Sequence, residues 1–69
     1  MAINAEVWKK RGQMVRSART GKGLLQKDLA DFLDVKPNTI SGYENGTRKM
    51  EFDDIKKLCR FLGIELNHF

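Results

Sequence analysis

Two short helical apolar patterns follow one another within residues 26–46, joined too tightly for anything but a sharp corner. Leu29, Ala30 and Leu33 form one inward stripe. After Asp34 and Val35, Pro37 restarts a helix whose inward residues are Ile40 and Tyr43, so two segments must turn about a corner and share one core. This spacing predicts a helix-turn-helix at about residues 26–44, with the second helix presented outward. In a small basic chain, an outward helix of this kind suits the major groove of DNA.

The chain supplies material for one small domain over residues 1–69, with 41% hydrophobic residues and no candidate linker. A domain of this size lacks the cleft that encloses a substrate and excludes water, which argues against an enzyme. No Ser-His-Asp set and no phosphate-binding glycine loop is present, and Gly21 and Gly23 end a helix instead of following a strand. Cys59 is the single cysteine and fits a buried apolar position. His68 is the single histidine, with no second His or Cys at ligand spacing, so neither a metal nor a cofactor is expected. No stretch has the pattern of a signal peptide or the length of a membrane span, and the expected location is the cytoplasm.

Net charge is +4, from 13 Lys and Arg against 9 Asp and Glu, and its distribution is uneven. Before residue 28 the bases are Lys9, Lys10, Arg11, Arg16, Arg19, Lys22 and Lys27, opposed by Glu6 alone. A one-sided excess of this kind is the footprint expected for a phosphate backbone. It does not lie opposite a broad apolar face, which argues against a membrane surface.

The remaining pattern is helical throughout, giving an all-α domain of four to five helices. Helix 1 is expected from a cap at Asn4, with Ile3 and Trp8 as a hydrophobic staple, to about Thr20, with Val7, Val15 and Ala18 inward. Gly12 in its middle implies a close helix contact. Helix 2 covers about Gln26 to Leu33 and helix 3 about Pro37 to Glu44, the latter ended by Asn45-Gly46. Helix 4 runs from about Phe52 to Leu62, with Asp53 and Asp54 at the positive end of its dipole and Phe52, Ile55, Leu58, Cys59 and Leu62 as its apolar stripe. Gly63 ends it, and Leu66 and Phe69 suit a single-turn fifth helix.

From Gly12 to Phe69 the chain resembles, without gaps, the Cro and repressor type of helix-turn-helix domain, the Xre-like family of phage and bacterial regulators. The resemblance rests on Val15-Arg16, Ala18-Arg19, Gly23-Leu24-Leu25-Gln26, Leu29-Ala30 and Leu33-Asp34-Val35. It continues through Thr39-Ile40-Ser41, Tyr43-Glu44-Asn45-Gly46, Arg48 and Leu62-Gly63-Ile64. It implies a phage repressor-like fold in which helix 3 reads bases through Lys36, Pro37, Asn38, Ser41 and Gly42. The inward positions Ile40 and Tyr43 agree, because 37, 38, 41 and 42 then fall on the open side. Asn38 can donate to and accept from one adenine edge at once. Gly42 leaves room either for close backbone approach or for a thymine methyl.

The same resemblance implies that Gln26, at the start of helix 2, holds a phosphate, and that Asn45, Arg48 and Lys49 grip the backbone after helix 3. It also implies an ion pair of Arg19 with Glu44 beneath the recognition helix. Three positions depart from the family pattern. Leu25 and Lys36 stand where a capping Ser or Thr is usual, each costing about 1 kcal/mol if nothing replaces the cap. Lys36 can offset this by contacting phosphate, whereas Leu25 reads as an apolar plug beside Leu24. Asp34 stands where the turn usually has Gly, and must take a left-handed backbone.

The implied function is a sequence-specific DNA-binding transcriptional regulator, a repressor that binds a palindromic operator in double-stranded DNA as a homodimer. The expected dimer surface is helix 4, the terminal segment and the loop near Met50, with Phe52 or Phe69 as apolar contacts. The alternative is a protein-interaction module of the same fold, such as a toxin-binding antitoxin or an adaptor. The reading leaves room for a further domain or protein partner beyond Phe69.

Overall fold

The computed structural model describes residues 5–69, and the expected Asn4 cap and Ile3 staple lie outside them. Four α-helices follow in order: α1 (Ala5–Gly21), α2 (Gln26–Leu33), α3 (Pro37–Asn45) and α4 (Phe52–Leu62). A single 3₁₀ turn, Leu66–His68, comes after them, and no strand occurs among the described residues. The four largest fully buried side chains are Val15, Leu29, Ile40 and Leu58, one from each helix. Every helix therefore buries an apolar stripe against the others, and α2, α3 and α4 are too short to be stable as isolated segments.

In α1 the buried stripe is Trp8, Gly12, Val15 and Arg19, spaced i, i+4, i+7 and i+11. Val7 was expected inward, but it lies about 100° around the helix from Trp8 and is 37% exposed. Ala18 packs at the margin of the core. The glycine at position 12 lets α1 cross directly over α3: a Cβ built there would collide with the carbonyl oxygens of Tyr43 and Glu44. At the far end of the same crossing, Gly46 has φ 75°, and a Cβ would come within 2.7 Å of the Lys9 backbone. Both the left-handed conformation and the close approach require glycine there.

The corner between α2 and α3 is made by Asp34, which adopts φ 57° and ψ 47°. Its N–H closes on the Asp31 carbonyl at 3.3 Å, and the Val35 N–H returns to the Ala30 carbonyl at 2.9 Å. The start of α2 has no side-chain cap, as expected from Leu25, but Asp28 reaches back and accepts the Leu25 N–H at 2.8 Å. This is one half of a capping box. Leu25 itself is 64% exposed and is not an apolar plug; Leu24 alone packs on the core. At α3, Lys36 supplies no side-chain cap, and Pro37 at the start of the helix removes one N–H that would need a partner.

Helix α4 buries Ile55, Leu58, Cys59 and Leu62. Phe52 does not share that stripe: it opens the first turn and is 63% exposed. Leu66 is likewise 46% exposed, because the 3₁₀ turn is too short to bury both of its apolar residues. Phe69 is the one that packs on the core. Arg11 fastens it, with its guanidinium 4.8 Å from the Trp8 ring centre and 5.9 Å from the Phe69 ring centre, and Nε donating to the Phe69 carbonyl at 3.3 Å.

Candidate nucleic-acid interface

The surface begins with a buried carboxylate. Glu44 sits in the last turn of α3 and is 4% exposed. Its Oε2 accepts from Arg19 Nε at 2.6 Å and its Oε1 from Arg19 Nη2 at 3.0 Å, a two-pronged pairing. The third guanidinium nitrogen, Nη1, donates to the Leu24 carbonyl at 2.8 Å. Gln26 Nε2 completes the set by donating to Glu44 Oε1 at 3.0 Å. One carboxylate thus ties α1, the start of α2 and the end of α3, and no buried side-chain polar atom among the described residues lacks a partner. The hydrogen bond to Glu44 raises the Arg19 pKa against the opposing effect of burial, so the guanidinium keeps its charge.

A second tether fixes α3 from its other side. Tyr43 is 2% exposed, and its hydroxyl donates to Asp54 Oδ2 in the first turn of α4 at 2.7 Å. Burial, followed by the bond to Asp54, pushes the Tyr43 phenol up to about 12. Helical periodicity marks Tyr43 as inward but carries no information on which acid, eleven residues away, its hydroxyl meets. Arg11 belongs to the basic excess of the first 27 residues, yet its charge is used on Trp8 and Phe69. Arg19 is likewise consumed by Glu44.

With α3 held from beneath, its outer residues are open. Lys36, Pro37 and Asn38 are exposed and Ser41 is half-buried. Asn45, one turn further along, places Nδ2 3.4 Å from Ser41 Oγ. Gly42 has its space taken: a Cβ there would lie 3.0 Å from Arg48 Cβ and 3.6 Å from Arg48 Cδ. The loop after α3 folds back onto this point, with the N–H groups of Thr47 and Arg48 both donating to the Gly42 carbonyl at 3.1 and 3.2 Å. The missing side chain thus lets Arg48 lie along the helix. Arg48 and Lys49 are exposed. Gln26 is half-buried, and its bond to Glu44 uses one of its two amide hydrogens, leaving the other for a ligand at the start of α2.

The other titratable and metal-binding residue types hold no comparable arrangement. Cys59 is buried, and burial pushes its thiol up, away from the reactive thiolate. His68 lies 3.6 Å from Glu65 on the surface, and no cluster of three metal-ligating side chains occurs among the described residues. No helix among them is long and apolar enough to cross a membrane.

An outward α3 braced by α1 and α2, with polar and basic groups along its open side, defines a helix-turn-helix protein. The family model described as helix-turn-helix matches residues 15–69, and the chain belongs to that family, in its Cro/repressor type, a class of DNA-binding transcription regulators. Among solved structures, it is similar to the restriction-modification controller protein C.AhdI from Aeromonas hydrophila, at 35% identity and a TM-score of 0.80, covering 90% of this chain and 94% of that one. It is also 42% identical over 55 residues to multiprotein-bridging factor 1 of Debaryomyces hansenii, and 36% identical over the same length to endothelial differentiation-related factor 1 of Homo sapiens. Each alignment covers 80% of this chain and 37% of the relative, so the chain spans little more than a third of those proteins.

Proposed function

We propose that the protein is a sequence-specific transcriptional repressor that binds a palindromic operator as a homodimer. The observation that carries this reading is the brace of Arg19, Glu44 and Gln26, which costs three polar side chains to orient one short helix outward. In this reading Asn38 is the main base reader, with Lys36, Pro37 and Ser41 against the groove, while Gly42 gives its space to Arg48. Gln26, Asn45, Arg48 and Lys49 hold phosphates. Two such helices in a dimer would reach half-sites about 34 Å apart along the duplex.

The proposed dimer surface is the start of α4 with the terminal turn. Phe52 and Leu66 are exposed there and border, with Arg11, Ile55 and Phe69, a shallow cavity of about 230 Å³. Met50 itself is 2% exposed and belongs to the core, so the loop around it would contribute through Glu51. Selection of bound sequences from a random duplex pool tests the reading. A two-fold-symmetric motif is expected, and an enriched pool without a motif would contradict it.

A second reading, a bridging module that does not read bases, is favoured by the names of the relatives, which describe multiprotein-bridging factors. Binding that is steeply salt-dependent and prefers one duplex over its scramble separates the two.

A further inference from the structure

A second surface lies apart from the residues proposed to face DNA, where the end of α2 meets the outward face of α4. Phe32 and Phe61 are 44% and 37% exposed, and their rings stack with centroids 4.2 Å apart and an interplanar angle of 15°. Beside them Asp53, Lys56, Lys57 and Arg60, spaced i, i+3, i+4 and i+7 along α4, join Phe32 around a shallow cavity of about 250 Å³. Three cations face one carboxylate. Asp53 is 3.8 Å from Lys56, while neither Lys57 nor Arg60 forms an ion pair among the described residues. An exposed apolar patch rimmed by charged residues with a net positive balance marks a candidate interaction site.

The patch has room for a partner while DNA is bound. Phe32 stands six residues beyond Gln26, about 9 Å further along the α2 axis, and the patch shares no residue with the set proposed to contact DNA. A second copy of this chain fits poorly, because a two-fold contact would bring one patch of three cations and one carboxylate onto another of the same net positive charge. A nucleic-acid strand fits poorly too, because each ring already covers a face of the other that a base would need. Complementary charge with an apolar anchor is what remains. We propose that the Phe32–Phe61 stack, with Lys56, Lys57 and Arg60, is a docking site for an acidic protein segment that inserts one or two apolar side chains, such as an amphipathic helix of Asp, Glu, Leu and Phe.

Fluorescence anisotropy with the full chain tests this, using a labelled peptide of about twelve residues built from those four amino acids and a counterpart with Lys at every acidic position. The acidic peptide should bind saturably, and Phe61→Ser and the pair Lys57→Gln with Arg60→Gln should each weaken it about tenfold. The charge-neutralised pair keeps the test decisive should Phe61→Ser fail to fold, which its thermal melt would reveal. Duplex binding by folded Phe61→Ser should stay within about twofold of the parent, since the patch lies outside the DNA-facing set. Absence of saturable binding, equal binding of both peptides, or unchanged binding by the neutralised pair overturns the proposal. Competition by single-stranded oligothymidylate, lost in the neutralised pair, would overturn it in favour of nucleic acid. Self-association lost in Phe61→Ser would overturn it in favour of a second copy. The peptide titration contains no DNA, so its result does not depend on whether the chain reads an operator.

Discussion

In the proposed function, Asn38 and Arg48 separate the two tasks that a DNA reader must perform. Asn38 is exposed on the open side of α3, and Asn38→Ala should relax preference at one base pair and weaken specific binding by about 1–3 kcal/mol, with little effect on scrambled duplex. Competition titrations with single-base operator variants measure it, and an equal loss on every sequence would make Asn38 a phosphate or structural residue. Arg48 lies over Gly42 and is exposed. Arg48→Ala should weaken all duplexes alike and flatten the log-log salt dependence by about one unit, read from titrations at several salt concentrations. The periodicity of α3 made its open side legible from sequence. The return of the loop onto Gly42 was not legible, because it depends on two backbone hydrogen bonds that any residues could make.

At the scale of elements, two polar tethers aim α3. Glu44→Ala would leave the Arg19 guanidinium buried without its carboxylate, and should destabilise the fold by about 3–5 kcal/mol in urea unfolding. Replacing Arg19 with Met and Glu44 with Leu together should recover much of that loss, so the double-mutant cycle should be strongly non-additive. Additive effects would mean that the pair does not interact. The tether from Tyr43 to Asp54 makes a prediction in alkali. Its phenol titrates at about 12 in the folded chain against an ordinary 10, so the folded state keeps a proton that the unfolded state releases. The corresponding stability is complete below pH 10 and is lost as pH rises towards 12. The stability of the parent should therefore fall relative to that of Tyr43→Phe over that window. A constant difference would show that folding does not raise the phenol's pKa.

Element boundaries were the most legible part of this chain because its punctuation is local. Pro37, Asp34, Gly46 and Gly63 each act through their own backbone, and the three left-handed residues among them end their helices. The family pattern carried the Arg19–Glu44 pair. Apolar residues at helix starts and in the terminal turn were legible only in part: Val7, Leu25, Phe52 and Leu66 are exposed because burial there depends on whether a neighbouring element extends far enough to cover them. Cation counting also overstated the basic footprint, since Arg11 and Arg19 serve the fold.

For the whole molecule, the central claim is that this arrangement turns a small basic domain into a reader of one duplex sequence. Paired titrations of the full chain against a duplex selected from a random pool and against its scramble, repeated across salt concentrations, test the claim most directly. The account predicts affinity for the selected duplex at least about 10³-fold higher near physiological salt, with both affinities falling steeply as salt rises. Equal affinity for the two duplexes, or binding indifferent to salt, would contradict it.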